Sequence, residues 1–292
     1  LQSTNAYLTV VRPVEDAPSH PTKSNSTRRR TAWEVASERD VLPGVYEGGL
    51  ALWECALDLT SWLDSNRSRV NVTSKSSVLE LGCGFGLPGI WALKEGCRLC
   101  VFQDLNSSVL ATATSQHVLA NFPSDAPLKI ASRLRMISGD WFDEKLLALL
   151  KAAGDIGSEE SDASGSYDLV ISAETLYTPA LTNRLHRILA QLLRPKTGIA
   201  IIAAKRFYFG SSLGGGTGLF RSLCERTDSS ISAKVVGVFE DGSSNIREVL
   251  FVSHRDRGAS IFVPRAFWFE AGLLLGRVSR SRGPPFMRRR AF

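Results

Sequence analysis

The chain has 292 residues, of which 43% are hydrophobic and 22% charged, an ordinary globular composition with enough apolar residues for one sizeable core. Its formal charge of +6 is unevenly placed, because residues 255–292 carry nine arginines against two acids, which leaves a charge of −1 for the rest. The body of the protein therefore lacks the basic character of a phosphate-binding surface, and we expect no direct nucleic-acid binding.

Three regions differ in composition. Residues 1–38 are polar and are predicted to form a disordered lead, residues 39–254 form the predicted folded domain, and residues 255–292 form a basic tail. An extra helix, a disordered end and an imperfect gene model all remain open for the tail. Neither a signal peptide nor an uninterrupted apolar run of about 18 residues is present, so we expect a soluble protein in a reducing compartment without a membrane partner.

The cysteines do not form a paired framework. They stand at positions 55, 83, 97, 100 and 224. Cys97 and Cys100 make a CxxC motif, but no second pair follows and Cys100 lies in a predicted strand. Buried reduced thiols are therefore the better interpretation, and no metal site is predicted.

From about Glu38 onward, short apolar runs alternate with helical patterns. The predicted strands are Ser77–Leu81, Leu99–Gln103, Leu134–Ser138, Tyr167–Ala173 and Gly198–Ala204. The predicted helices are Leu87–Glu95, Ser107–Asn121, Asp143–Ala152 and Pro179–Leu193. Ser232–Glu240 and Ile246–His254 are predicted to form a terminal antiparallel hairpin, and Gly154–Ser166 a mobile loop. This alternation is typical of an α/β fold with a parallel, doubly wound sheet.

The first predicted strand is followed by a glycine-rich loop, Val78-Leu-Glu-Leu-Gly-Cys-Gly-Phe-Gly86. The spacing G-x-G-x-G meets neither the P-loop pattern nor the dinucleotide pattern, so a phosphate ligand is not indicated. Asp104 follows Gly82 by 22 residues and ends the second strand, where an acid can bind both hydroxyls of a ribose. Capping of the next helix is the alternative role for Asp104.

The stretch LELGCGFG, together with the acid that ends the second strand, resembles the S-adenosylmethionine site of seven-β-strand methyltransferases. The resemblance implies a Rossmann-like seven-stranded sheet with helices on both faces. The implied ligand carries a sulfonium, an amino-acid tail and an adenosine, but no phosphate. Glu80 fits this class, whose members usually carry an acid before the glycines; an exposed carboxylate at the strand end is the alternative.

A narrower resemblance rests on three segments. Leu42-Pro-Gly-Val-Tyr-Glu-Gly-Gly-Leu-Ala-Leu-Trp-Glu-Cys55 is similar to the segment before the cofactor loop in the protein-histidine methyltransferase family. Glu174-Thr-Leu-Tyr177 matches the acid-x-x-aromatic motif of the wider protein methyltransferase group, and Lys205-Arg-Phe-Tyr-Phe-Gly210 resembles the histidine branch. Ala173 and Pro179 depart from the usual pattern. The family methylates a histidine of a large-subunit ribosomal protein.

The resemblance implies a set of cofactor contacts. They are Leu52, Trp53, Glu54, Cys55, Ala56, Glu80, Gly82, Gly84, Gln103, Asp104, Leu105, Asp140, Trp141 and Ala173. At the methionine end of the cofactor, Trp53 is expected to shield the ligand and Glu54 to pair with its ammonium. At the adenine end, Asp140 is expected to approach the exocyclic amine and Trp141 to pack on the ring. The alternatives are an amphipathic helix for the stretch around Trp53, and a core tryptophan beside a capping aspartate for the second pair.

Glu174 and Tyr177 are the predicted catalytic residues. An imidazole needs no strong base near neutral pH, so the carboxylate of Glu174 is expected to select its tautomer and Tyr177 to wall the ring. Capping and packing are the alternative roles. The four histidines of the chain are assigned structural or surface roles.

Two further activities remain open. One is lysine methylation by an enzyme of the same group, and the other is a catalytically silent cofactor-binding factor in ribosome assembly. A nucleic-acid methyltransferase is disfavoured because no Asn/Asp-Pro-Pro-aromatic motif follows the fourth strand. The resemblance also leads us to expect a monomer in the cytoplasm and nucleus, with a ribosomal protein as substrate.

Overall fold

The computed structural model describes residues 42, 44–122, 130–155, 166–208, 214–240, 242 and 245–255. The predicted lead (residues 1–38) lies outside the described residues, as does the predicted tail except Arg255. Most of the predicted loop Gly154–Ser166 also lies outside them.

The described residues form a seven-stranded sheet in the order β3-β2-β1-β4-β5-β7-β6. The strands are β1 Ser77–Leu81, β2 Leu99–Asp104, β3 Leu134–Ser138, β4 Leu169–Ala173, β5 Ile199–Lys205, β6 Ile231–Phe239 and β7 Arg247–His254. β1 to β5 pair in parallel, whereas β7 runs antiparallel to both β5 and β6. The predicted Rossmann-like sheet with its terminal antiparallel hairpin is confirmed.

Helices cover both faces of the sheet. They are α1 Glu54–Ser65, α2 Arg67–Val70, α3 Leu87–Lys94, α4 (Ser107–Val109, a π-helical turn Leu110–Thr114, and Ser115–Asn121), α5 Glu144–Asp155, α6 Pro179–Leu192 and α7 Thr217–Glu225. Successive strand residues point to opposite faces. Leu79 accordingly packs in a cluster with α5, α6 and α7, and Val78 in a cluster with α1, α3 and α4. In the described ranges, every helix is too short or too polar to cross a membrane.

Several element boundaries differ from the sequence predictions. α7 was not predicted, and α1 appeared only as the alternative for the stretch around Trp53. α5 continues through Gly154 and Asp155, where a glycine is required because an added Cβ would lie 2.6 Å from Cβ of Ser166. β4 begins at Leu169, since Tyr167 forms an isolated bridge with Leu193 and its hydroxyl donates to the carbonyl of Leu150.

Candidate active site

A cavity of about 670 Å³ opens at the carboxyl ends of the parallel strands, the edge where ligands bind in open α/β sheets. Its volume suits a small-molecule ligand. One wall is the pre-helix segment, residues 44–53, and another is the glycine loop, residues 82–86. The predicted site residues that line the cavity are Leu52, Trp53, Ala56, Glu80, Gly82, Gly84, Gln103, Asp104, Leu105, Asp140, Trp141, Ala173, Glu174 and Tyr177.

Glu54 and Cys55 are the two predicted cofactor contacts that the structure does not bring to the cavity. Glu54 is exposed, and its carboxylate lies 3.5 Å from the guanidinium of Arg247 on β7. Cys55 is fully buried, and burial, followed by the charge of Glu174, raises the pKa of its thiol. The reason is helical geometry: α1 begins at Glu54, and each helical residue turns about 100° from the last, so Trp53 and Ala56 face the cavity while Glu54 does not.

The glycine loop has a backbone that other residues rarely adopt. Gly82, Gly84 and Gly86 have φ angles of 63°, 49° and 73°, all in the left-handed region. A Cβ on Gly84 would lie 3.2 Å from the carbonyl oxygen of Gly49, and one on Gly82 would lie 2.8 Å from Cγ2 of Thr175. The glycines therefore let the pre-helix segment approach the loop, and they keep side chains out of this part of the cavity.

Two buried carboxylates fix the backbone around this loop. Asp104 is only 6% exposed. Its Oδ2 accepts from the Gly84 amide at 3.0 Å, and its Oδ1 accepts from the Asn106 amide at 3.1 Å. Oε2 of Glu80 accepts from the Gly89 amide at 2.8 Å, and burial raises the pKa of Glu80 to about 8. Burial also raises the pKa of Asp104. The predicted ribose contact of Asp104 stays a prediction.

Gln103 connects two strand ends beneath the cavity. Its side-chain oxygen accepts from the indole nitrogen of Trp141 at 2.7 Å, and its amide nitrogen donates to the carbonyl of Gly139 at 2.9 Å. Asp140 is exposed and accepts from the Phe142 amide at 2.9 Å. Trp141 is buried, Asp140 bonds within the turn before α5, and both residues line the cavity, so their predicted contacts with the adenine stay predictions.

Glu174, directly after β4, has an unusual conformation and an incomplete set of contacts. Its φ of 57° is strained for a residue with a side chain. Oε2 accepts from the hydroxyl of Tyr208, whereas Oε1 is buried and has no hydrogen-bond partner among the described residues. Lys205 Nζ lies 3.8 Å from Oε1. Glu174 thus lines the cavity with a carboxylate whose Oε1 has the Lys205 ammonium as a charged neighbour and no hydrogen bond among the described residues.

Tyr177 contacts the pre-helix segment. Its hydroxyl donates to Oε2 of Glu47, whose Oε1 accepts from the Gly44 amide at 2.7 Å. Glu47 and Tyr208 both line the cavity, and the sequence analysis assigned a role to neither. Each belongs to a segment that carried the family resemblance, which is the signal that would have found them.

Comparison with known proteins identifies relatives of this chain. A histidine protein methyltransferase 1 homolog of Dictyostelium discoideum is 33% identical over 223 residues, which is 76% of this chain and 63% of that protein. The Bos taurus homolog is 38% identical over 207 residues, 65% of this chain and 52% of its own length. The chain is a homologue of these histidine protein methyltransferases. It spans only about half to just under two thirds of their length. No protein-family model matches it.

Solved structures give a weaker likeness. Magnesium protoporphyrin IX methyltransferase from Synechocystis PCC 6803 is 13% identical, with a TM-score of 0.45 over 68% of this chain and 82% of that one. The methyltransferase domain of bacterial CtHen1 is 14% identical, with a TM-score of 0.45 over 67% and 97% of the two chains. These low identities and TM-scores carry no argument about this chain, and the fold is described by its own strand order.

The ionisable side chains around the cavity are mostly acidic. The acids are Glu47, Asp104, Asp140 and Glu174, together with Glu80, which its raised pKa keeps largely neutral near pH 7, and Lys205 is the cation among the lining residues. Such a lining repels a phosphate and favours a positively charged ligand. Among the residues that the structure describes, no group of three or more His, Cys, Asp or Glu side chains is arranged to bind a metal ion. The carboxylates that line the cavity fit a ligand with positive charge, such as a sulfonium or an ammonium group.

Proposed function

We propose that the chain is an S-adenosylmethionine-dependent protein methyltransferase that modifies a histidine side chain. Homology to histidine protein methyltransferases and the acidic cavity support the class of reaction. The choice of acceptor rests on Glu174, which lines the cavity: its buried Oε1 has the Lys205 ammonium 3.8 Å away and no hydrogen-bond partner among the described residues. A buried acceptor left unsatisfied is costly, and an N–H donor of a bound substrate removes that cost.

The end of the cavity formed by β1, β2 and β3 carries side chains that suit the cofactor. Asp104 is proposed to bind the ribose hydroxyls, Trp141 to pack on the adenine and the glycine loop to border the amino-acid tail. Gln103 orients the Trp141 indole from below. When bound, S-adenosylmethionine supplies a methyl group on a positively charged sulfonium. The protein contributes alignment and the exclusion of water.

A histidine acceptor fits the tyrosines of the cavity better than a lysine acceptor. Lysine has a reference pKa near 10.4, so a base must remove its proton at neutral pH. Burial and the Glu174 carboxylate raise the pKa of Tyr208, and burial and Glu47 raise that of Tyr177, so neither tyrosine ionises to act as that base. An imidazole with a pKa of about 6.5 is already roughly 90% neutral at pH 7.5.

Glu174 is proposed to choose the reactive nitrogen of this neutral ring. If Oε1 accepts from one ring N–H, the other ring nitrogen must carry the lone pair that faces the methyl donor. Methylation makes the ring cationic, and the adjacent carboxylate stabilises that charge until the N–H proton leaves to solvent. Tyr208 keeps the carboxylate in place through its bond to Oε2.

The pH dependence of the reaction tests this acceptor. For a histidine-containing substrate, kcat/KM should rise with an apparent pKa near 6.5 and remain flat above about pH 8. A rate that climbs to about pH 10 would instead indicate lysine. Binding of the cofactor without turnover on any protein would favour the silent cofactor-binding factor.

We further propose that the substrate is a large-subunit ribosomal protein and that the protein acts as a monomer in the cytoplasm and nucleus. The family resemblance of the segments around the cavity supports this proposal. Incubation with labelled cofactor and cell extract, followed by mass spectrometry of the labelled protein and residue, tests the substrate. A label on a non-ribosomal protein contradicts the substrate, and a label on lysine contradicts the acceptor.

A further inference from the structure

Helix α4 contains a π-helical turn, Leu110–Thr114, between its first residues and Ser115–Asn121. π turns are rare and occur often at functional sites, because the inserted residue rotates the rest of the helix relative to its start. α4 follows β2 and packs beside the glycine loop of the cavity. Thr114 and His117, which are three positions apart and therefore share one helix face, both reach this loop.

The contacts of these two side chains are specific. The hydroxyl of Thr114 donates to the carbonyl oxygen of Gly84 at 2.6 Å. Nδ1 of His117 lies 3.2 Å from the carbonyl oxygen of Phe85, so Nδ1 must carry the proton in that contact. The imidazole also packs on the Phe85 ring, with 4.6 Å between the ring centroids. Both side chains are almost completely buried.

The loop that they contact is restrained from two sides. The Gly84 amide donates to Asp104, and the Gly84 carbonyl accepts from Thr114. Gly86 leaves no room for a side chain on this side, because an added Cβ would lie 3.0 Å from Cγ2 of Thr114. The loop residues line the cavity, whereas Thr114 and His117 do not. Any effect of these two residues on a ligand must therefore act through the loop.

From this geometry we infer that Thr114 and His117 are positioning residues, which set the conformation of the glycine loop for cofactor binding. The π turn brings both side chains to consecutive loop carbonyls. The identity of the ligand rests on the proposed function, but the inference does not depend on which residue accepts the methyl group.

The test compares three threonine variants by calorimetry with S-adenosylhomocysteine. Thr114→Val removes the hydroxyl at nearly constant shape, and we expect the affinity to fall about tenfold. Thr114→Ser keeps the hydroxyl and should remain within about twofold of the wild type. The matched control is Thr112→Val in the same π turn, where the exposed threonine donates to Ser108 and its loss should leave affinity unchanged.

His117→Phe provides an independent variant, since it keeps the aromatic contact with Phe85 and removes the donor. It should also weaken binding by several-fold. Thermal unfolding without ligand is measured for every variant. If Thr114→Val binds as tightly as the wild type, or if Thr114→Ser weakens binding equally, the inference is wrong and the residues only stabilise the fold. If the wild type itself does not bind S-adenosylhomocysteine, the proposed function fails and the inference fails with it.

Discussion

The carboxyl ends of β1, β2 and β3 border the same cavity as those of β4 and β5, yet the two regions satisfy their buried polar groups differently. In the first region, here called the cofactor half, Glu80, Gln103 and Asp104 each bond to backbone amides, a carbonyl or an indole of the protein. In the second, the acceptor half, Glu174 bonds to Tyr208 through one oxygen and leaves the other without a hydrogen bond.

This difference indicates which region is complete before a ligand binds. The cofactor half uses its polar side chains to fix the backbone that surrounds a ligand. The acceptor half keeps a strained backbone at Glu174 and an acceptor oxygen without a hydrogen bond among the described residues, features that cost stability and that persist where function requires them. Substitutions in the two halves should therefore change different kinetic constants.

Glu174→Gln should have the largest effect. The amide keeps the shape of the side chain but replaces the charge, so we expect kcat for a histidine substrate to fall about 10- to 100-fold. Cofactor affinity, measured by calorimetry, should change by less than about twofold. The control Glu54→Gln, an acid outside the cavity, should change neither constant. Unchanged turnover in Glu174→Gln would remove the acceptor half from the mechanism.

Asp104→Ala tests the cofactor half. The change removes charge-assisted hydrogen bonds to the ligand and to the Gly84 amide, so cofactor affinity should fall about tenfold or more. At saturating cofactor, kcat should change little. The matched control is Asp143→Ala, at an exposed aspartate that accepts from the Lys145 amide. Unaltered affinity in a folded Asp104→Ala protein would exclude Asp104 from the cofactor site.

A pair of tyrosine variants separates the two halves with the same chemical change. Tyr208→Phe should lower kcat about fivefold at unchanged cofactor affinity, because Glu174 loses its partner. Tyr177→Phe should raise the cofactor KM by about the same factor, because Glu47 no longer fastens the pre-helix segment to the loop after β4. Steady-state kinetics distinguish these outcomes. The reverse assignment would support Tyr177 as the wall of the acceptor ring, the role that the sequence predicted for it.

The smallest expected effect concerns stability at Glu80. Its folded pKa of about 8 lies above the ordinary value of 4.5, so the folded protein retains a proton that the unfolded chain loses, and stability falls as pH rises between these values. Glu80→Gln removes this dependence. The melting temperature of the ligand-free protein should therefore rise by about 2–4 °C at pH 8 and by less at pH 5. An equal gain at both pH values would show that Glu80 is not protonated in the fold.

The predicted element bounds agree best with the structure where a short apolar stretch is flanked by residues that favour turns. β1 and β3 have the predicted bounds, because each is a short stretch rich in apolar residues between turn-like segments. α7 was missed, since it is short and follows a glycine-rich stretch that reads as loop. The prediction that Glu54 lies at the cavity is also wrong. A motif gives the order of residues along the chain, but it does not show toward which side of the helix each side chain points.

The sequence by itself determined a parallel α/β sheet with a terminal antiparallel hairpin, the glycine loop and the acid at the end of β2, because these depend on apolar periodicity and on the few residues that tolerate a left-handed backbone. Only the tertiary structure decided which polar groups meet. Tyr208 reaches Glu174 across 34 positions, and Tyr177 reaches Glu47 across 130. Such contacts depend on how the strand ends converge, and no local pattern in the chain encodes that distance.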